Sequence, residues 1–139
     1  MPAKDLYHDQ LRNALVKDGW RITHDTYQIK FKEIKLYADL AAESMFAAER
    51  EQEQIVVEVK SFLNASRVRD FEAAIGQYIL YRLYLSQVFP HAVVYLAINS
   101  NIYRSFFLKP AIKFATTELK INLIVFNVQQ EVIVEWISS

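Results

Sequence analysis

The sequence predicts one α/β domain in which helices pack against a mixed β-sheet, and three observations support this fold class. Two apolar runs, Val93 to Ile98 and Ile121 to Phe126 with Asn122 as its one polar residue, are typical of strands that are covered on both faces. Segments with helical spacing alternate with the strands along the chain. The 139 residues include only two glycines and three prolines, so there is little linker, and residues 1–139 form a single predicted domain.

The N-terminal part of the chain predicts a helix followed by short extended segments. Apolar residues recur at helical spacing from Asp5 to Lys17, and Gly19 ends this helix. Trp20 to Ile22 alternates with polar neighbours and predicts a strand. The chain then turns at His24 to Thr26 and continues as extended chain from Tyr27 to Phe31.

The middle of the chain predicts two antiparallel strands. Leu36 to Leu40 alternates and carries Asp39. Propensity alone favours a helix for Ala41 to Ala48, but we interpret this segment as a continuing strand, because the polar run Glu49 to Gln54 suits a hairpin turn. Such a turn lays the strand against Ile55 to Lys60, so that Asp39 approaches the charges of the second strand.

The C-terminal half predicts two helices that alternate with strands. Ser66 is a suitable N-cap for a helix that runs to about Gln87, and Gly76 lowers the stability of that helix unless another backbone passes close by. Pro110 breaks or kinks a second helical stretch at 102–119, and alternating residues at 132–136 predict a final strand. The predicted apolar face of the first helix comprises Val68, Phe71, Ile75, Tyr78, Ile79 and Leu83.

Charged residues on and beside the central strand indicate a catalytic site. Asp39 and Glu58 are carboxylates that repel each other when they converge, unless a divalent cation joins them, and Mg²⁺ is the hard ion that such ligands favour. The backbone carbonyl of Val59 adds a ligand, and Lys60 orients a water or steadies negative charge on phosphate. This arrangement suits phosphodiester hydrolysis. The alternative is that Glu58 and Lys60 form a solvated strand face while Asp39 pairs with a lysine, since ion-pair networks imitate active sites.

Composition limits the partners of this protein. Sixteen basic and sixteen acidic residues give a net charge of zero, so only a local patch would hold a polyanion. Lys30, Lys32 and Lys35 form the densest basic cluster and point to one side of an extended chain. They serve either as phosphate-backbone contacts or as protection of an edge strand. Without cysteine, leader or membrane-spanning apolar run, the chain is expected to be soluble and cytoplasmic, with no membrane partner.

The charged residues and the following helix resemble a known nuclease superfamily. Asp39, Glu58-Val59-Lys60, and Gln77 with Tyr81 resemble the pattern D, E-x-K, Q-x-x-x-Y of the PD-(D/E)XK nucleases, in their RecB-like and Holliday-resolvase-like branches. The resemblance implies a restriction-endonuclease-like mixed β-sheet flanked by helices, with core order αβββαβ. It also implies that these five side chains are catalytic, with Mg²⁺ or Mn²⁺ held by the two carboxylates and the Val59 carbonyl.

Two positions are candidates for an additional site residue. Many such nucleases carry a glutamate on the first helix, and His8, Asp9 or Asp5 would take its place here. Glu43 lies on the Asp39 face if the strand continues, and it is either a third carboxylate or a solvated or paired residue.

Almost the whole chain resembles one family more specifically, on six runs of sequence. These runs are Leu15 to Trp20, Ile22 to Asp25, Ala38 to Glu43, Val57 to Phe62, Gly76 to Tyr78 and Leu123 to Phe126. They resemble the XisH family, the fdxN-element excision controlling factors of cyanobacteria. The resemblance implies a protein that assists a site-specific recombinase in excising a DNA element, alongside a small partner of the XisI family.

These observations leave two functional hypotheses. The first is a metal-dependent DNA endonuclease that serves DNA rearrangement. The second is a catalytically silent accessory protein of the same fold that acts by binding DNA or a partner protein. A homodimer is a further, purely structural alternative, favoured if exposed aromatic and apolar side chains form a dimer face.

Overall fold

The computed structural model describes residues 4–44 and 53–138. None of its described helices is both long enough and apolar enough to cross a membrane. A π-helical segment, Tyr103–Phe107, follows the short helix Ser100–Ile102. The regular elements in chain order are α1 (His8–Lys17), β1 (Trp20–His24), β2 (Tyr27–Phe31), β3 (Ile34–Ala38), β4 (Leu40–Ser44), β5 (Gln54–Val59), α2 (Arg67–Val88), β6 (Ala92–Asn99), α3 (Ser100–Ile102), α4 (Pro110–Glu118), β7 (Leu123–Asn127) and β8 (Val132–Ile137).

A six-stranded mixed sheet organises these elements in the order β1-β4-β5-β6-β7-β8. Strands β5, β6 and β7 are parallel, and antiparallel pairs flank them on both sides. The β2–β3 hairpin forms a separate two-stranded sheet. The predicted α/β class and the core order αβββαβ are confirmed, with the hairpin inserted between β1 and β4. The arrangement is consistent with a restriction-endonuclease-like fold.

Each face of the sheet packs against its own apolar cluster. On one face, Leu11 and Leu15 of α1 meet Val57 of β5. On the other face, Tyr78 of α2 and Ile29 of the hairpin pack in the cluster that contains Val56. Strand β5 is therefore covered on both sides, as expected of a central parallel strand. A charged side chain on this strand is consequently buried and needs a partner.

The predicted strand from Leu36 to Ala48 is divided in the structure. β3 pairs only with β2, and β4 pairs with β1 and β5, with Asp39 at the break between them. The expectation that one strand holds Asp39 was therefore wrong, because alternation continues through the break and does not reveal it. The antiparallel pairing with the next strand is confirmed for β4, with Leu40 opposite Val57. Residues 45–48 and most of the predicted turn lie outside the described residues.

Helix α2 matches its predicted bounds and part of its predicted face, since Phe71 and Tyr78 are buried and Ile75 and Ile79 pack against the core. The Ser66 hydroxyl caps the helix by accepting from the Arg69 N–H at 3.2 Å. Val68 and Leu83, which were expected in the core, are 56% and 57% exposed. The helix is apolar on nearly every side, so periodicity alone does not select the buried face. The residues actually buried follow alternating three- and four-residue steps, and they are Phe71, Ala74, Tyr78, Tyr81 and Leu85.

Two local signals for helix ends are confirmed. Gly19 follows α1 with a φ of 93°, a left-handed conformation that glycine adopts without steric cost. Pro110 begins α4, where its missing N–H would have had no helical partner. The stretch predicted as helical at 102–119 is thus broken at the proline.

Candidate functional site

A cavity of about 230 Å³ lies where β5 ends, between the β2–β3 hairpin and α2. The structure brings together in its wall all five side chains that the sequence nominated as catalytic. The lining residues are Lys4, Thr26, Tyr37, Asp39, Glu58, Lys60, Gln77 and Tyr81. The acidic side chains therefore face one shared space and do not project from opposite sides of the sheet.

Asp39 is held at the cavity by the backbone of β5. Its Oδ2 atom accepts a hydrogen bond of 2.7 Å from the Val59 N–H. The strand break at Asp39 makes this possible, because the chain leaves the hairpin at Ala38 and enters the sheet only at Leu40. Val59 thus contributes its backbone to the site, while its side chain packs in the core against α1.

Glu58 is a buried carboxyl group with an unsatisfied oxygen. Its Oε2 atom lies 3.5 Å from the Lys60 Nζ, and its Oε1 atom has no hydrogen-bond partner among the described residues. Burial, together with the negative charge of Asp39, raises the pKa of Glu58 to about 8, and the nearby Lys60 ammonium only partly offsets this. At neutral pH, Glu58 therefore retains a proton unless a positive charge enters the cavity.

Asp39 experiences opposing influences. Burial raises its pKa, whereas the Val59 N–H and the His8 ring favour the ionised form and lower it. The charge of Asp5 adds to the increase. A buried and a partly buried carboxyl group thus share one site with the Lys60 ammonium, and the Lys4 side chain also lines the cavity.

Gln77 and Tyr81 project from α2 into the same cavity. The Gln77 Oε1 atom is buried and has no hydrogen-bond partner among the described residues. The Tyr81 hydroxyl donates to the Tyr37 carbonyl oxygen at 2.9 Å, which joins α2 to the hairpin. Burial and the negative charges of Glu58 and Asp39 raise the pKa of Tyr81, so its hydroxyl remains a donor.

His8 is the first-helix residue that reaches the site. It is 1% exposed, and its Nδ1 atom lies 3.5 Å from Asp39 Oδ1. Its Nε2 atom contacts Asp25 Oδ1 at 2.8 Å, and Arg12 Nε lies 3.2 Å from the other oxygen of Asp25. Sequence reasoning missed Asp25 and Arg12, since Asp25 was interpreted only as a turn residue. Helical spacing places His8 and Arg12 on one face of α1, and this was the available signal.

The other candidates near the first helix have different positions. Asp5 binds the segment after β5, because its Oδ2 atom accepts from the Ser61 N–H at 3.0 Å and from the Ser61 hydroxyl at 3.1 Å. Asp9 is exposed and lies 3.5 Å from the Lys4 ammonium. Asp5 therefore stabilises the wall of the site, whereas Asp9 does not take part in it.

Glu43 is separate from the Asp39 cavity. It is buried in an ion pair with Arg21, its register partner on β1. It lines another cavity beside Ala42 and Gln54. The structure therefore supports the paired-residue alternative for Glu43, and not a third carboxylate beside Asp39 and Glu58.

The donor atoms fit a hard cation in part. Among residues 4–44 and 53–138, no group of three or more His, Cys, Asp or Glu side chains is arranged to hold a metal ion. Asp39 and Glu58 nevertheless supply carboxylate oxygens, and the free Oε1 of Glu58 lacks a counterpart. Mg²⁺ usually keeps several waters and binds one or two protein carboxylates, so two carboxylates are a sufficient protein contribution.

The predicted basic cluster on the hairpin is confirmed for two of its three lysines. Lys30 and Lys35 are register partners on β2 and β3 and share one face. Lys32 lies in the turn with a φ of 53°, and its ammonium is 5.4 Å from the centre of the Phe31 ring. The expectation that all three alternate on one side was wrong for Lys32, because the turn begins there.

Comparison with known proteins identifies relatives across nearly the whole chain. The family described as XisH protein matches residues 1–134. The crystal structure of an XisH family protein from Nostoc punctiforme PCC 73102 is 39% identical with a TM-score of 0.87, covering 96% of this chain and 100% of that one. A fdxN element excision controlling factor protein from Anabaena variabilis is also 39% identical with a TM-score of 0.87, covering 97% and 100%. No curated protein shows a significant match.

Proposed function

Because this chain belongs to the XisH protein family, we propose that it is an excision controlling factor that acts on DNA through a PD-(D/E)XK-type phosphodiesterase site. One observation supports the enzymatic part above all others. Glu58 is buried at the end of a central strand with an unpartnered oxygen, beside Asp39 and Lys60 in one cavity. Burying two neighbouring carboxylates in their charged forms is costly, and a bound cation offsets that cost.

The arrangement of the remaining residues supports the same assignment. Asp39 precedes the central strand, the pair Glu58 and Lys60 ends it, and Gln77 and Tyr81 follow on α2. These are the positions of the D, E-x-K and Q-x-x-x-Y groups in the superfamily pattern. Convergence of residues so distant in sequence on one cavity is not expected of a strand face that is merely solvated.

Mg²⁺ or Mn²⁺ would be held by Asp39, Glu58 and the carbonyl of Val59. When bound, such a cation supplies a Lewis acid for a phosphate oxygen and lowers the pKa of a bound water. The Val59 N–H fixes the Asp39 carboxylate in place. Lys60 is 28% exposed at its side chain, so its ammonium can orient the attacking water or steady negative charge on the phosphate. Gln77 offers its free amide oxygen to a water or a substrate donor.

The proposal extends to the partners of the protein. The relative from Anabaena variabilis is described as controlling excision of the fdxN element. We further propose, as the family resemblance in the sequence implies, that this chain acts in the cytoplasm on a DNA element, with a site-specific recombinase and a small partner protein of the XisI family.

A catalytically silent accessory role is the second candidate, and one observation favours it. The position nearest Asp39 from α1 is occupied by the His8 imidazole, and Glu43 pairs with Arg21 away from the cavity. Among residues 4–44 and 53–138, the site therefore has two carboxylates and not three. In this alternative the chain binds DNA or a partner protein without cleaving a phosphodiester bond.

A cleavage assay separates the two candidates. Purified protein is incubated with nicked, branched and duplex DNA in Mg²⁺ or Mn²⁺, beside Glu58→Gln, Lys60→Ala and the surface control Glu118→Gln. Loss of cleavage in both site variants, with full activity in the control, supports the enzyme. Cleavage that survives in both site variants refutes it. DNA binding without any cleavage supports the accessory role.

A further inference from the structure

We propose that the outer face of the β2–β3 hairpin binds the phosphate backbone of the DNA strand that enters the cavity. This hairpin outer face consists of Gln28 and Lys30 on β2 and Lys35 and Tyr37 on β3. The inference rests on the proposed function and adds to it the surface that positions the substrate. It assigns a role to side chains that lie outside the D, E-x-K and Q-x-x-x-Y pattern.

Two like charges stand directly opposite each other on this face. Lys30 pairs in register with Lys35, and both side chains are exposed. Like charges in such a cross-strand pair destabilise a hairpin. Within the described part of the chain, neither ammonium has an ion-pair partner. A polyanion lying across the face would relieve this repulsion, whereas no contact within the described protein does so.

The face leads directly into the cavity. Gln28 pairs with Tyr37 one step along the same face, and Tyr37 lines the cavity together with Asp39 and Glu58. Lys35 is two residues from Tyr37, which corresponds to about 7 Å along a strand. A phosphate backbone held by the lysine pair would thus continue past Tyr37 toward the carboxylates.

The opposite face of the hairpin fixes these lysines in position. Ile29 is fully buried, and the Phe31 ring packs on Tyr84 of α2 with 5.4 Å between the ring centres. The Tyr81 hydroxyl also binds the Tyr37 carbonyl oxygen at 2.9 Å. A hairpin anchored on one side loses little backbone freedom when a ligand binds the other side. This makes the outer face a preorganised surface, in contrast to a pair of charges on a loose ribbon.

The alternative is that the lysines only prevent edge-to-edge association of the small sheet. The two roles make different predictions for DNA binding. Phosphate contacts release counterions, so each lost contact lowers the salt dependence of binding by about 0.9 in the slope of log K against log salt. Protection of an edge has no effect on that slope.

Binding of fluorescein-labelled duplex DNA is measured by anisotropy in EDTA, where no cleavage occurs, over a series of salt concentrations. The variants are Lys30→Gln, Lys35→Gln, their double and the charge-preserving Lys30→Arg/Lys35→Arg. Lys17→Gln is the matched single-charge control, because Lys17 ends α1 on the opposite side of the sheet, where its ammonium binds the Gln130 carbonyl at 3.0 Å. The double Gln variant is expected to bind about tenfold more weakly at low salt, with a slope reduced by about 1.8.

The outcomes distinguish this inference from the proposed function. Wild-type affinity and slope in the double Gln variant overturn the inference, while cleavage by that variant leaves the proposed function intact. Weaker binding by the double Gln variant, with affinity retained by the arginine pair and the Lys17 control, supports the inference even if no DNA is cleaved. A wild-type protein that binds no DNA overturns both. Thermal unfolding accompanies each measurement, and removing the like-charge pair is expected to leave stability equal or higher, so that weaker binding is not a result of misfolding.

Discussion

At the scale of single residues, the buried carboxyl group of Glu58 links stability to pH. Its pKa is about 8 in the folded protein and 4.5 in an ordinary environment. Between these values the folded state binds more protons than the unfolded state, so the free energy of unfolding falls as the pH rises, and the penalty from ionising Glu58 is complete above the folded pKa. The full difference between the two pKa values corresponds to a few kcal/mol of unfolding free energy, since a pKa shift of one unit is worth about 1.4 kcal/mol.

The variant Glu58→Gln is expected to remove most of this dependence. Glutamine keeps the size and polarity of the side chain but does not ionise, so position 58 carries no buried charge that opposes folding at alkaline pH. We expect urea unfolding in EDTA to show the wild type losing roughly 2–4 kcal/mol between pH 5 and pH 8, and Glu58→Gln losing much less. Glu118→Gln, at an exposed position of α4, is the control. An unchanged pH slope in Glu58→Gln would contradict the assignment of the buried proton.

A divalent cation is expected to replace that proton. If Asp39 and Glu58 hold the ion, Mn²⁺ binds the folded state alone and raises its unfolding temperature by mass action. The effect is expected to be larger at pH 8 than at pH 6, because protons compete with the metal for the Glu58 carboxylate. Differential scanning fluorimetry of the wild type and Glu58→Gln, with and without Mn²⁺, measures it. An equal increase in both proteins would place the ion elsewhere.

At the scale of elements, Gly76 tests whether helix α2 requires a glycine on its exposed side. A Cβ atom built at Gly76 meets no atom within 4 Å apart from its chain neighbours and the backbone of its own helix, so no other segment requires a glycine there. Glycine inside a helix costs about 0.5–1 kcal/mol relative to alanine. We therefore expect Gly76→Ala to raise the free energy of unfolding by about that amount, as measured by urea denaturation. The matched reversal is Ala74→Gly, at a fully buried position two residues earlier, which is expected to destabilise the protein. Destabilisation by Gly76→Ala would mean that the helix needs flexibility at this position.

The elements also show how much of the fold the sequence specified. Local signals were sufficient where one residue determines a helix end, as at Gly19, Ser66 and Pro110. They failed where the pattern does not change at a boundary, as at Asp39, where two strands with different partners follow each other without a turn residue. The buried face of α2 was predicted only in part for a similar reason, because most of its faces are apolar and tertiary packing decides among them.

The candidate site could likewise be predicted from the sequence only in part. The positions of Asp39, Glu58, Lys60, Gln77 and Tyr81 in one cavity were predicted, because strand pairing brings the first three together and the resemblance to the superfamily pattern implies the other two. The contact of His8 with Asp25 was not, because it joins residues from α1 and the turn after β1 that no short-range pattern relates. For Glu43 the sequence left open both a third carboxylate and a paired residue, and the structure shows it paired with its register partner. Register is a property of the assembled sheet, so a single strand does not reveal it.

At the scale of the whole molecule, α1 and β1 contact β8, the strand at the other edge of the sheet. We call this contact the closure of the sheet. Helix α1 packs beside β8, and the carboxylate of Asp18 accepts from the indole N–H groups of Trp20 at 3.3 Å and Trp136 at 3.2 Å. The two indole rings lie 5.4 Å apart. These are the two tryptophans of the chain, so tryptophan fluorescence reports on this closure alone.

The variant Asp18→Ala is expected to loosen that closure without unfolding the domain. It leaves two indole donors without their shared acceptor, and since Asp18 is exposed, water replaces part of the loss, so we expect a cost of about 1 kcal/mol. Tryptophan emission should shift, while far-ultraviolet circular dichroism remains that of the wild type. Asp9→Ala, which removes only an exposed ion pair with Lys4, is the control and should change neither signal.

In urea, the fluorescence and dichroism transitions of the wild type are expected to coincide, because α1 and α2 cover opposite faces of one sheet and stabilise it together. A tryptophan transition at lower urea would show instead that α1 and β8 separate from the sheet before the core around α2 unfolds.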